Sequence, residues 1–192
     1  MGRWEPDAVG RLQRAAMDLY TERGFEQTTV AEIAARAGLT ERTFFRHFAD
    51  KREVLFAGSA SLQDLLVSTL MSVPASTAPI DAVTVALAAA GDLLGQRHDH
   101  SRARQAVIDK NPELRERELI KLASLAAALA ETLRVRGTPE PGASLTAEAG
   151  IAVFKVAFDS WINASNERGL TQLIHDSLDQ LKAIAAAAPA GT

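Results

Sequence analysis

Apolar residues recur at intervals of three and four positions along nearly the whole of the 192-residue chain. This spacing places them on one face of an α-helix, whereas half-buried strands show strict alternation of apolar and polar residues. The sequence contains no run of Val, Ile and Thr with that alternation. The pattern therefore predicts an all-α protein.

Two short helices are predicted close together in the first third of the chain. Thr29 and Glu32 have the spacing of a capping box, in which each side chain binds the other's free backbone amide. The helix that they open ends at Gly38, because glycine closes helices in the left-handed conformation. Thr40 begins a second short helix that continues to about Phe48. Two short helices joined by a glycine turn are typical of a helix-turn-helix.

The second short helix separates its aromatic residues from its polar ones. Phe44 and Phe48 are expected to pack inward against Ile33 of the preceding helix. The outward residues can donate to phosphates and contact base edges. These outward residues are Thr40, Glu41, Arg42, Thr43, Arg46 and His47. The alternative is a tight helical hairpin whose basic face is only solvated.

Charge favours a polyanionic partner only in one segment. The chain has a net charge of −3, and its first 56 residues are neutral. Residues 36–52, however, hold five Lys or Arg residues against two acidic ones, with His47 in addition. Lys51 precedes the next predicted helix, where its ammonium and the helix dipole would both attract a phosphate.

Several classes of protein are disfavoured by composition. The chain has no cysteine, so disulfides and thiolate metal sites are excluded. Charged residues interrupt each apolar stretch, and the N-terminus lacks the apolar core of a signal peptide, so we expect a cytoplasmic protein with no membrane partner. The motifs of hydrolases, P-loop enzymes and dinucleotide enzymes are missing, so we expect neither an enzyme nor a cofactor. A metal site built from His98, Asp99, His100 and His175 is conceivable, but such side chains are common at helix ends.

The remainder of the chain is predicted to form six further helices. A second capping box at Asp50 opens the first of them, and Asn111 followed by Pro112 opens the fourth. The helices span about 50–71, 80–96, 101–108, 112–136, 145–168 and 171–187.

Residues 11–55 carry a specific set of motifs. They include the turn Arg23-Gly-Phe, the pairs Thr28-Thr29, Ile33-Ala34 and Ala37-Gly38, Thr43, the segment Phe44-Phe-Arg-His-Phe and Lys51. With these motifs the stretch resembles the DNA-binding domain of the TetR family of bacterial transcriptional regulators. The resemblance implies a three-helix DNA-binding domain at residues 1–52 and a helical ligand-binding and dimerisation domain at residues 53–192. It also implies a homodimer on double-stranded operator DNA and, usually, repression relieved by a small molecule.

Carried over residue by residue, the DNA contacts of the family fall on eight positions, to which the outward pattern adds Arg46. The eight are Thr29, Thr40, Glu41, Arg42, Thr43, Phe45, His47 and Lys51. Phe45 stands where the family usually has Tyr, so it can offer only van der Waals contact to the DNA backbone. Arg42 stands where a small residue is frequent, so it adds a phosphate contact or a reader of guanine. We expect Arg42 and Thr43 at base edges, and Thr29, His47 and Lys51 at phosphates.

Residues 105–136 resemble the C-terminal domain of MftR-like members of the family, some of which respond to fatty acyl-CoA. Between Ile80 and Trp161, alanines stand between large apolar residues of the predicted helices, which leaves room for a mainly apolar pocket. His98 and Arg104 would bind a polar end of the ligand, which could be a fatty acyl-CoA or an aromatic metabolite. The predicted lining is Leu94, His98, Arg104, Val107, Leu125, Phe154, Phe158 and Trp161. The alternative is a filled core, in which Phe154, Phe158 and Trp161 only pack.

The last two helices are predicted to form the dimer contact. The final helix has an apolar stripe wide enough for a core face and a partner face. Its residues are Leu173, Ile174, Leu178 and Leu181. The alternative is that this stripe covers only the core of one chain. We expect the long helix 50–71 to connect ligand and DNA, in a repressor released from a palindromic operator by a small, largely apolar ligand. The alternative function is a helical small-molecule carrier without DNA binding.

Overall fold

The computed structural model describes residues 7–163 and 168–187. Within these ranges the chain forms nine α-helices and one short 3₁₀ helix, with no strand, which confirms the all-α prediction. The α-helices are α1 (Ala8–Arg23), α2 (Val30–Arg36), α3 (Glu41–His47), α4 (Ser59–Ser72), α5 (Pro79–Gly95), α6 (His98–Asp109), α7 (Pro112–Val135), α8 (Gly142–Asn163) and α9 (Leu170–Ala186). The 3₁₀ helix is Glu53–Phe56.

The chain divides into two compact units. The first, called the head below, comprises Met1–Ala60 and Arg102–Leu119, and the second, called the body, comprises Ser61–Ser101 and Ile120–Thr192. The head therefore extends past the boundary expected after residue 52 and includes a segment from much later in the chain. Helices α6 and α7 each contribute residues to both units.

The head has a single apolar core built on the three N-terminal helices. Phe44 is fully buried and Phe48 nearly so, together with Ile33, as the sequence predicts. Helix α6 adds Ile108 and helix α7 adds Leu114, both fully buried in the same core. Because burial of such side chains is the main stabilising contribution to folding, the segment 102–119 is part of the folded head.

Local signals determine the helix ends in the head. Helix α1 ends at Gly24, whose φ of 91° suits glycine, and Gly38 has a φ of 67° at the turn between α2 and α3. Thr29 and Glu32 form the predicted capping box at the start of α2. The guanidinium of Arg11 on α1 donates to the carbonyl of Ala37, which joins α1 to the turn between α2 and α3.

The predicted long helix over residues 50–71 is wrong. Asp50 does accept from the backbone amides of Arg52 and Glu53, at 2.8 and 3.2 Å, but it begins only the 3₁₀ helix. The chain then turns at residues 57–58 before α4 begins. Residues 54–56 are all buried, and three consecutive buried residues do not fit the stripe of one continuous amphipathic helix.

In the body, α5, α8 and α9 lie close together because small residues stand where the helices meet. A Cβ added at Gly91 of α5 would lie 2.9 Å from Thr171 Oγ1 of α9, and one at Gly150 of α8 would lie 2.5 Å from a methyl of Val83 on α5. Leu87 and Ile174 fill the space between these contacts and are buried. The three helices thus form the tightly packed part of the body.

Residues 53–72 are the one stretch of the described chain that is long and apolar enough to cross a membrane. Core helices of soluble proteins have the same properties, so length and composition alone are weak evidence for a membrane span. The turn at residues 57–58 interrupts this stretch, and Leu66 and Leu70 are buried in the body core.

Candidate nucleic-acid interface and ligand region

Helix α3 presents a polar surface around a buried aromatic anchor. Thr40 caps the helix, and its hydroxyl accepts from the amide of Thr43 at 3.2 Å. Phe44 is fully buried, whereas the neighbouring Phe45 is 55% exposed and touches the Phe44 ring edge-on. The predicted contacts on this helix are all on the surface, with Thr43 half-buried: Thr40, Glu41, Arg42, Thr43, Phe45, Arg46 and His47.

The positive charge of this surface is smaller than the sequence suggests. Arg36 forms a two-point ion pair with Glu22, at 2.9 and 2.8 Å, and Arg52 binds Asp50. Among the described residues Arg42 has no charged partner, and Arg46 contacts only the ring of His47 at 3.3 Å. Carboxylates thus compensate the charges of Arg36 and Arg52, and in the described chain the cations of α3 without a carboxylate partner are Arg42 and Arg46.

Thr29 and Lys51, predicted to hold phosphates, differ in their environments. Thr29 is exposed at the start of α2, where its hydroxyl and amide both bind Glu32. The Lys51 ammonium, in contrast, donates to three backbone carbonyls in the loop between α1 and α2. The prediction that Lys51 projects toward a phosphate does not describe this arrangement, because an ammonium has three protons and all three are used.

Six of the predicted ligand residues belong to the body. The ring of His98 packs edge-on against Trp161 at 4.6 Å, and Phe158 lies 5.7 Å from Trp161 and 5.8 Å from Phe154. Leu125 is buried in the same core, against which Leu94 packs. The structure thus brings together Leu94, His98, Leu125, Phe154, Phe158 and Trp161, and His98 is their polar member.

Arg104 and Val107 belong to the head, which corrects their assignment to the ligand pocket. Arg104 donates to the carbonyl of Leu55 at 2.8 Å and to Glu118 at 3.1 Å, and its guanidinium lies 5.0 Å from the centre of the Phe56 ring. Val107 is buried in the head core. The spacing of residues along α6 could not predict this division, because residues 98–101 of the helix belong to the body and residues 102–109 to the head.

The body also contains an alanine-lined cleft of about 270 Å³. The sequence predicts that alanines leave room for a ligand, and alanines of α7 do line this cleft. The aromatic cluster does not line it. Its lining comes from α7 and α8: Ala123, Ala126, Ala127, Ala130, Arg134, Ser144 and Glu148. Arg134 is paired with Glu131 and Glu140 at the edge of this cleft.

The predicted dimer stripe lies mostly inside one chain. Leu173, Ile174 and Leu178 are at most 5% exposed and belong to the body core, and Leu181 packs against it partly buried. Leu173, Ile174 and Leu178 are therefore covered by their own chain, as the alternative states, whereas Leu181 keeps part of its surface exposed. The exposed large apolar side chains of the last two helices are Leu145, Val156 and Ile184.

Metal ligation finds no support in the geometry of the described residues. No three of their His, Cys, Asp or Glu side chains are grouped closely enough to hold an ion. His98 and Asp99 form a loose pair at 3.5 Å, in which Asp99 is fully exposed.

The family follows from comparison with known sequences. Residues 12–57 match the family described as bacterial regulatory proteins, tetR family, and residues 77–186 match the MftR C-terminal domain. The chain belongs to the TetR family. The two matches confirm both resemblances found in the sequence. As a TetR-family protein, it is a DNA-binding transcriptional regulator and not an enzyme.

Individual relatives agree with this assignment. The HTH-type transcriptional regulator TcmR of Streptomyces glaucescens is 27% identical over 184 residues, which cover 90% of this chain and 81% of TcmR. The repressor FadR of Thermus thermophilus, solved in complex with lauroyl-CoA, shares the fold with a TM-score of 0.58 and 21% identity, covering 96% of this chain and 98% of FadR. SmeT of Stenotrophomonas maltophilia, solved with triclosan, has a TM-score of 0.66 and 17% identity, covering 96% of each chain. TetR-family regulators bind operator DNA, dimerise and bind small-molecule effectors.

Proposed function

We propose that this TetR-family regulator represses transcription from a palindromic operator and is released by a small, largely apolar ligand in the body. The observation that supports DNA reading by α3 is its exposed polar surface, held in place by the fully buried Phe44. In a helix-turn-helix the second helix lies in the major groove, where side chains read base edges. In vitro selection of duplexes from a random library tests the proposal, and the selected sites should be inverted repeats. Selection without enrichment would instead favour the carrier function.

Arg42 and Thr43 are proposed to read bases, while Thr29, Arg46 and His47 contact phosphates. Arg42 is exposed and has no charged partner among the described residues, so its guanidinium can reach a guanine. Arg42→Ala should therefore reduce discrimination at one base pair by about 1–3 kcal/mol. Binding of the selected duplex and of single-base variants, measured by fluorescence anisotropy, checks this. Equal weakening on all sequences would make Arg42 a phosphate contact, which is the result expected for the control Arg46→Ala.

The homodimer is proposed to form through the exposed faces of α8 and α9. Leu145, Ala152 and Val156 lie at helical spacing on the exposed side of α8, and Ile184 is 73% exposed on α9. Paired around a twofold axis, these faces would bury one another in an isologous contact. Val156→Glu should yield folded monomers in sedimentation analysis and weaken binding to the inverted repeat, because only one head would then engage. The control Ile174→Glu, at a fully buried position, should unfold the body instead.

The effector is proposed to bind beside the aromatic cluster of the body. Phe154, Phe158 and Trp161 pack against one another there, so the ligand must separate these rings to form an apolar pocket, and His98 then binds its polar group. Lauroyl-CoA and triclosan, bound by FadR and SmeT, are the first compounds to test. By linkage, a true effector weakens operator binding by the same factor by which operator DNA weakens binding of the effector. A compound that binds tightly but leaves operator affinity unchanged is not the effector.

A further inference from the structure

Helix α8 has an apolar face that its own chain leaves largely uncovered, called the α8 stripe below. Leu145 is 67% exposed at one end of this stripe, and Val156 is 58% exposed at the other. Between them lie Ala149, which is half-buried, and Ala152, which is exposed. The intervals between these residues are four, three and four positions, which places them in one line along the helix. Two helices of a coiled coil pack along a line with this spacing.

The order of side-chain sizes along the α8 stripe is the same in both directions. A large apolar residue stands at each end, and an alanine stands at each inner position. If the α8 helices of two copies lie antiparallel, Ala149 of one faces the partner's Ala152, and Leu145 faces the partner's Val156. The alanines would then let the two helix axes approach closely, while the large side chains pack on either side of them.

Two opposite charges flank the α8 stripe on one side. Glu148 directly precedes Ala149, and Lys155 directly precedes Val156, so the two charges occupy equivalent positions. Both side chains are exposed, and neither forms an ion pair or a hydrogen bond with another described residue. Seven residues span about 10 Å of a helix, which separates the two charges within one chain. In the antiparallel arrangement Glu148 would instead lie beside the partner's Lys155, and the twofold axis would repeat this pair.

The alanine-lined cleft lies on the same side of α8, because Glu148 is part of its lining. Arg134, the cation of the cleft, already binds Glu131 and Glu140, so it leaves the charge of Glu148 uncompensated. A lysine from a second chain fits this environment. Its apolar stem can cover the alanines while its ammonium binds the carboxylate.

We propose that two copies of this chain pair through antiparallel α8 helices, in which each Glu148 carboxylate binds Lys155 of the partner subunit. This inference rests on the proposed homodimer, and it adds the helix that lies at the twofold axis, its direction and the charges that select the partner. Charges beside the contact line determine which helices pair, because like charges repel a wrong partner. The chain should therefore reject regulators of the same fold that lack this pair of charges.

Charge reversal in two separate variants tests the reciprocal ion pair. Glu148→Lys and Lys155→Glu should each raise the Kd of their own dimer about tenfold, because two attractive pairs become repulsive. A mixture of the two variants should dimerise as the wild type does, since each pair across the axis then joins opposite charges. Sedimentation equilibrium measures all three samples, and Glu116→Lys, at an exposed position of α7, is the control. Single variants with a wild-type Kd, or a mixture that does not associate, would overturn the proposal.

Salt shows whether the two variants act through charge. At about 1 M salt the Debye length falls to about 3 Å, so the repulsion in Glu148→Lys and in Lys155→Glu should weaken. Their Kd values should then approach that of the wild type. An equal defect at low and high salt would show that the substitutions act through the shape of the contact, and would refute the ion pair.

Disulfide cross-linking measures the direction of the α8 helices without any change of charge. The chain has no cysteine, so each variant carries a single thiol. Ala149→Cys and Ala152→Cys, mixed in reducing buffer and then oxidised, should form more cross-linked dimer than either variant alone, because these positions face each other. Glu116→Cys should form none. Parallel helices would link each variant mainly with itself, and this result, or no cross-link in the mixture, would refute the proposal.

The wild type and Val156→Glu separate this inference from the proposed function. A wild-type protein that sediments as a monomer would refute the proposed homodimer as a whole. A dimer that Val156→Glu dissociates, but that neither charge reversal weakens, would refute the α8 pair alone. These measurements use the protein without DNA, so a failure to select an operator would not change their outcome.

Discussion

Phe44→Ala is expected to destabilise the head by about 3–5 kcal/mol, because it removes a fully buried aromatic ring and leaves a cavity. Whole domains are stable by only about 5–15 kcal/mol, so this loss is a large fraction of the stability of the head. Urea denaturation followed by circular dichroism measures the loss of stability, and anisotropy should show that operator binding is lost.

The neighbouring residue supplies the matched control. Phe45 is 55% exposed, so Phe45→Ala should change the free energy of unfolding by about 0.5 kcal/mol or less. Its effect should appear in DNA affinity, because the ring is proposed to contact the DNA backbone. Similar losses of stability in the two variants would show that the ring of Phe45 is also part of the head core.

Arg104→Met is expected to cost about 3 kcal/mol, because it leaves the Glu118 carboxylate without its cation in a largely buried site. The two side chains are only 21% and 23% exposed and lie 3.1 Å apart. The double variant Arg104→Met with Glu118→Met should recover more than half of this loss, since apolar replacement of both partners is often neutral.

An exposed ion pair of the same length isolates the effect of burial. Arg14 and Asp7 also lie 3.1 Å apart, but their side chains are 67% and 59% exposed. Arg14→Met should therefore cost less than about 1 kcal/mol in the same denaturation experiment. If Arg104→Met costs no more than Arg14→Met, the buried pair does not hold the 3₁₀ helix against α6 and α7.

The parts of the head that depend on neighbouring residues in the chain could be predicted from sequence. The capping box at Thr29 and the glycine turns at Gly24 and Gly38 are present because their conformations are determined within a few residues. The turn at residues 57–58 could not be predicted in this way. It accompanies burial of residues 54–56 in the core of the head, to which α1 and the distant segment 102–119 also contribute, and no local pattern records this.

The sequence also does not show which residue, or which chain, contacts a given side chain. An amphipathic stripe shows that Ile174 and Leu178 are buried, but not whether its own chain or a second chain covers them. The position of Arg104 on α6 shows that a cation is present, but not that Glu118 and the Leu55 carbonyl already satisfy it. The contacts of Lys51 likewise join it to residues about 25 positions away.

The many internal bonds of cations in the head affect how this regulator searches a genome. Sliding and hopping along non-specific DNA depend on free positive charge, since that binding comes from displaced counterions. In the described part of the head, Arg14, Arg23, Arg36 and Arg52 are each paired with a carboxylate. The protein should therefore bind random DNA less tightly than the number of cations in its head suggests, and titration of the operator complex with competitor DNA measures this difference.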